Sequence, residues 1–166
     1  MGYTTEFDGR FNLDKPLTVP QFNYLKAFNE TRHMRRNADA LMLTPDPLRV
    51  KVGLPLGNEG EYYVADENQA VLDYNQTPTT QPGLWCKWVP TEDGEGIEWD
   101  NNEKFYDYIE WLEYIIENFL KPWGLTLSGT VTWEGESNSD IGKIVVTDNK
   151  VASKKVKITY EDTEEE

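Results

Sequence analysis

Polar and apolar positions alternate most cleanly over 125–134. Leu125, Leu127, Gly129, Val131 and Trp133 interleave with Thr126, Ser128, Thr130, Thr132 and Glu134. A period of two marks a strand with one buried face. The segment 3–13 alternates likewise: Tyr3, Thr5 and Phe7, then Phe11 and Leu13 beyond Asp8-Gly9, which predicts a strand with a bend or bulge at Gly9. Residues 84–89 read as a strand, 93–96 as a turn and 97–99 as a short returning strand. Residues 144–147 return after a loop at 135–140. Asp148-Asn149 suits a tight turn, because both residues tolerate positive φ. Val156, Ile158 and Tyr160 predict a last edge strand with lysines alternating outward. A further short strand is expected at 61–65.

The period changes to 3.6 in two places. Thr18, between Pro16 and Pro20, is a good N-cap, and Phe22, Leu25, Phe28 and Arg32 follow it at helical spacing. That helix is expected to end before Thr44-Pro45. In the second, Asp100 or Asn101 is placed to cap a helix whose Phe105, Ile109, Leu112, Ile116 and Phe119 share one face, with Pro122 and Gly124 as its stop. Between them, 44–82 is punctuated by Pro, Gly, Asn and Thr, and a long irregular stretch in a compact domain is often functional. The order strand, helix, strands, helix, three strands predicts an α+β fold. Its antiparallel sheet carries two helices packed on one face, a ferredoxin-like variant with an extra C-terminal β-hairpin. The expected organisation is one domain over 1–160 and a disordered acidic tail over 161–166.

Composition sharpens this. The chain has 166 residues, a net charge of −14 and 13% aromatics. So many aromatics exclude an intrinsically disordered acidic protein. The acid excess therefore sits on a folded surface, which repels nucleic acid and anionic membranes and attracts basic partners. A lone cysteine, Cys86, excludes an intrachain disulfide and suits a reducing cytosol. Neither a signal peptide nor an apolar run of about 20 residues is visible, so a cytoplasmic protein is expected.

The charge is concentrated. From Thr91 to Leu120, ten acids face one base, a net −9. Glu103, Asp107, Glu110, Glu113 (or Tyr114) and Glu117 recur at steps of 3 and 4, on the face opposite Ile109, Leu112 and Ile116. Neighbours at that spacing lie roughly 5–6 Å apart, comparable to adjacent phosphates along a DNA strand. Glu98 and Asp100 extend the patch into the preceding turn. One reading is a solvated face of an amphipathic helix; the other is a nucleic-acid mimic that occupies a basic protein surface.

The remaining chemistry is sparser. Arg32, Arg35 and Arg36 form the only basic cluster. Placed on adjacent helical turns, they offer a seat for a phosphate or carboxylate, with pairing to the protein's own acids as the alternative. His33 reads as a lone surface or capping histidine. One His and one Cys exclude an ordinary zinc site, and neither acidic loop, 93–96 or 134–140, fits a calcium loop, so no metal is expected. Glu98, Asp100 and Glu134 beside Trp99 and Trp133 bring carboxylates and aromatics together, but nothing fixes a pair at catalytic separation. Cys86 reads as buried and inert. No serine elbow, P-loop or dinucleotide fingerprint occurs, hence no catalytic residue and no cofactor is assigned.

Gly2–Gly9, Thr31–Arg36, Gly83–Trp88, Ile97–Asp100, Glu103–Tyr106, Gly129–Gly135 and Asp148–Val151 together resemble a family of small uncharacterised proteins of bacteria and bacteriophages. The resemblance covers most of the chain but not 41–55 or the acidic tail. It transfers no catalytic residues, because that family has no established activity. It implies a cytoplasmic, phage-linked setting, in which small acidic proteins act on host or defence machinery. The expected function is thus a non-enzymatic interaction module, a phage accessory or anti-defence protein bound to a basic, nucleic-acid-binding surface. Two alternatives stay open. One is a small-ligand binder or enzyme using Arg32, Arg35 and Arg36 with the 44–82 loop; the other is a self-associating structural module.

Overall fold

The computed structural model describes residues 2–64 and 69–155. The elements are β1 (Thr5–Asp8), β2 (Arg10–Leu13), α1 (Val19–Glu30), β3 (Arg35–Arg36), α2 (Ala38–Leu41), α3 (Pro47–Lys51), β4 (Val71–Asp73), β5 (Trp88–Pro90), β6 (Gly96–Trp99), α4 (Tyr108–Ile115), β7 (Leu127–Gly135), β8 (Ile141–Thr147) and β9 (Lys150–Lys155). The main sheet runs β5-β6-β2-β7-β8-β9, with β1 also on β7, and every pairing is antiparallel. With β3, α2, α3 and β4 inserted between α1 and β5, strand β1/β2, α1, β5, β6, α4 and β7 run in the chain order of a ferredoxin-like core. Strands β8 and β9 add the C-terminal hairpin. The fold is the α+β class that the polar–apolar pattern predicts. None of its helices is long and apolar enough to cross a membrane, among the described residues.

Gly9 divides β1 from β2 without shifting register. Phe7 lies opposite Trp133 and Phe11 opposite Gly129, so both halves meet β7 on one continuous ladder. The break is a bend and not a bulge. Gly9 has φ 107°, and a Cβ there would stand 2.9 Å from the Thr130 carbonyl oxygen, so glycine is required.

Phe7, Phe11, Trp88, Ile97, Leu127, Val131, Trp133, Ile144 and Val146 of the sheet share one core with Tyr24, Leu25 and Phe28 of α1 and Trp111, Leu112 and Ile115 of α4. Burial of this apolar area, at roughly 25 cal/mol per Å², is the main force holding helices to sheet. The opposite sheet face carries Glu6, Asp8, Thr130, Thr132, Glu134 and Lys143, all exposed. Asp148 and Asn149, at φ 47° and 70°, make the tight turn between β8 and β9.

Helix α1 opens as its sequence predicts. The Thr18 hydroxyl accepts from the Gln21 N–H while the Gln21 side chain accepts from the Thr18 N–H. It closes at Glu30, short of the basic cluster, and 32–36 is not helical. The Thr31 hydroxyl donates to the Ala27 carbonyl at 2.7 Å, and His33 Nε2 donates to the Phe28 carbonyl at 2.9 Å. Both satisfy the last turn, and the chain then leaves in an extended conformation.

The second helix begins later than Asp100 or Asn101 would place it, at Tyr108. Instead of capping a helix, the Asp100 carboxylate accepts from the Asn102 N–H at 2.9 Å and from Asn29 Nδ2 at 2.8 Å. Such side-chain bonds offer the backbone an alternative to the helix. Asn101, Lys104 and Asp107 all take positive φ. Phe105 is fully buried from this irregular segment. After Ile115 the helix widens into a π turn, Ile116–Leu120, closed by the Lys121 N–H on the Ile116 carbonyl. Ile116, Phe119 and Leu120 are thereby all buried. Pro122 and Gly124 follow as the stop.

Two strand predictions shrink. Of 84–89, only the end joins β5, because His33 N–H takes the Leu84 carbonyl and Asn29 takes that of Cys86. Residues 61–64 are turn and irregular, while residue 65, the predicted strand 156–160 and the tail 161–166 lie outside the described residues.

Candidate functional site

The ten clustered acids do not form one patch. Asp93 is structural: it accepts from Thr91 and the Glu95 N–H and pairs with Arg10 at 3.1 Å, and these bonds hold its carboxyl down at about 2. Asp100 is the clamp just described. Glu98, half-buried on β6, lies directly opposite Arg10 of β2. Asp93 and Asp100 are thus committed within the chain, whereas Glu98 has only the register neighbour Arg10.

Glu110, Glu113 and Glu117 are exposed on α4 and its π turn. Tyr114 is buried and so stands outside the stripe. Asp107 occupies the N-cap position with φ 57° and makes no capping bond. Partial burial, with Glu110 adding to it, raises its pKa. The far end of the stripe is compensated: Lys121 pairs with Glu117, and Lys150 lines the same surface depression as Glu113 and Glu117.

Glu103 is not on the helix. It lines a shallow hollow of about 340 Å³ with Glu6, Glu134, Glu136, Thr4 and Gly135. Glu6 lies directly opposite Glu134 across the β1–β7 ladder, on the sheet face that no helix covers. Like charges so placed repel. Among the described residues no cation makes an ion pair with Glu6 or Glu134, while the Lys87 ammonium donates to the Glu103 backbone carbonyl. Glu136 accepts from the Thr4 N–H, and Tyr3 holds the rim by donating to Asp140 at 2.7 Å. This bond, with one from the Trp133 indole, lowers the Asp140 pKa. Glu6 and Glu136 were not legible as site residues, since pairing register sets them beside Glu103 and Glu134. The alternation over 125–134 did place Glu134 on the polar face.

The basic cluster disperses. Arg32 lies over the Tyr74 ring, 4.0 Å from its centroid, and bonds the Tyr74 carbonyl and Asn75. Arg35 pairs with Glu59 at 2.8 Å. Arg36 is buried, over the Tyr63 ring, and donates to the Gln69 carbonyl. Each guanidinium has partners in the 59–76 region, but only Arg35 pairs with one of the protein's own acids, while Arg32 and Arg36 take carbonyls, an amide and aromatic rings. His33 caps α1 as one reading allowed, but it is buried rather than on the surface. Burial pushes its pKa down to about 3, so the ring is neutral with Nε2 protonated.

Cys86 is buried, and burial raises its thiol pKa far above the ordinary range. It is inert. No group of three or more metal-ligating side chains occurs among the described residues. Compared with protein-family models, curated proteins and solved structures, the chain has no match.

Proposed function

We propose that this chain is an acidic protein-interaction module that docks on a basic surface of a partner protein. The observation that carries the proposal is Glu6 set directly opposite Glu134, beside Glu103 and Glu136, with no ion pair to Glu6 or Glu134 among the described residues. The sheet retains a repulsion that a single neutral residue would remove, and a basic partner compensates it on binding. Glu6 and Glu134 stand on paired strands, so the spacing of these two charges is preorganised. The helix stripe Glu110, Glu113 and Glu117 forms an outer part of the surface, and contributes to long-range steering of the partner. The resemblance to bacterial and phage proteins supports a host or defence protein as partner, engaged at a surface that otherwise holds nucleic acid.

Capture of partners from bacterial lysate at low and high salt tests this. The expected result is a basic protein retained at low salt, released at high salt and lost when Glu6, Glu103 and Glu134 are changed to Gln. Absence of any salt-sensitive basic partner contradicts the proposal.

A further inference from the structure

Trp85 stands apart from the other tryptophans. Trp88, Trp111 and Trp133 are buried and Trp99 and Trp123 are half-buried, whereas Trp85 is 41% exposed. Trp88, Trp99, Trp123 and Trp133 each donate their indole N–H to an internal oxygen. Among the described residues none accepts that of Trp85. The exposed indole leaves a broad aromatic face on which a ligand can stack.

The indole borders a groove of about 500 Å³, whose polar lining includes Asn29, Glu30, Lys87, Asp100 and Asn102. The walls are fixed. Asn29 Nδ2 ties the Cys86 carbonyl to Asp100, the Asp100 N–H donates to the Lys87 carbonyl, and the Trp99 indole holds the Asn102 carbonyl. Asn101 and Lys104 are kept at φ 69° and 63° beside it, conformations that persist only where the surroundings enforce them. The Asn102 side-chain amide and the Asn29 Oδ1 make no bond among the described residues.

The lining selects a ligand class. An anion would face Glu30, Asp100 and Glu103, and a cation Lys87 and Lys104. A wholly apolar ligand would strip water from amides and carboxylates without replacing it. A ligand with one flat C–H face and a rim of hydroxyls meets every demand. The flat face covers the indole, and each hydroxyl both donates and accepts towards the amides and Glu30. We infer that the groove formed by Trp85, Asn29, Glu30 and Asn102 is a binding site for a neutral saccharide. It shares only Glu103 with the Glu6–Glu134 hollow, none of the four residues named here belongs to that hollow, and it stands whether or not the hollow docks a protein.

Fluorine NMR of the full chain labelled with 5-fluorotryptophan tests this, since six tryptophans give separable probes and Trp85→Phe identifies the signal of interest. Chitotriose, cellotetraose and maltotetraose are titrated to millimolar concentration, alongside an arginine-rich peptide. The expected result is a saturable shift of the Trp85 signal with at least one sugar. Asn102→Ala should weaken that binding, and Trp85→Ala, read by calorimetry, should weaken it by about tenfold or more, the usual loss when an aromatic anchor is truncated. A Trp85 signal that moves with none of the sugars, or only with the peptide, overturns the assignment. So does unchanged affinity in a folded Trp85→Ala protein.

Discussion

Two acidic surfaces on this protein look alike in composition and differ in what surrounds them. The stripe on α4 presents Glu110, Glu113 and Glu117 one turn apart, with Lys121 paired to one of them and Lys150 nearby. The hollow at the β1–β7 edge gathers Glu6, Glu103, Glu134 and Glu136 with no carboxylate ion pair among the described residues, two of them forced opposite each other by strand register. A helix spaces its charges and gives long side chains room to bend away into water. A sheet fixes Cβ atoms about 5 Å apart and points both carboxylates the same way. Similar clusters of acids, three on the stripe and four in the hollow, therefore produce a relaxed surface in one place and a strained one in the other. The strained one is where a basic partner has most to offer.

The largest expected effect follows from reversing the hollow. Changing Glu6 and Glu134 together to Lys should weaken a captured basic partner by about a hundredfold at low salt, tenfold per reversed charge. Surface plasmon resonance at several salt concentrations measures it.

The second effect separates loss of the site from loss of the fold. His33 is buried and neutral, with a folded pKa of about 3. The unfolded chain binds a proton near pH 6.5 and the folded one does not. Stability is therefore full above that pH and declines as pH falls towards 3, by up to about 1.4 kcal/mol per pH unit. Urea unfolding from pH 7.5 to 4.5 should show this slope, and folded His33→Gln should flatten it. A loss of binding at a pH where this slope leaves the chain folded is then not a loss of the fold.

A smaller effect is expected from the stripe. Reversal of Glu110, Glu113 and Glu117 to Lys should slow association and reduce affinity by only about threefold, because exposed rim charges steer more than they hold. The smallest is a gain. Glu134→Gln removes the cross-strand repulsion and should raise stability by a few tenths of a kcal/mol, roughly the lower end for such pairs. Thermal unfolding of the two proteins checks it. A stabilised variant that binds less well would show that the repulsion is kept for function.

Much of this architecture was legible where side chains alternate. The segment 125–134, the Asp148-Asn149 turn, the Thr18 cap and the bend at Gly9 follow from local periodicity and turn chemistry, and the helices cover one sheet face as the pattern requires. The errors share a cause. Asp100 looks like a helix cap, yet Asn29, distant in sequence, and the Asn102 N–H claim its carboxylate first. Arg32, Arg35 and Arg36 look helical, yet Thr31 and His33 end α1 before them. Side chains that bond backbone override propensity over a few residues, and their partners cannot be read from spacing. The hollow was hidden for a similar reason: it depends on a register joining residues 128 positions apart, Glu6 and Glu134.

The most direct test of the central claim compares three proteins on one captured partner: the unaltered chain, a hollow variant with Glu6, Glu103 and Glu134 changed to Gln, and a stripe variant with Glu110, Glu113 and Glu117 changed to Gln. Retention is followed as salt is raised. The account predicts that the hollow variant releases the partner at the lowest salt while the stripe variant tracks the unaltered chain. Equal retention by all three, or early release by the stripe variant alone, would contradict it.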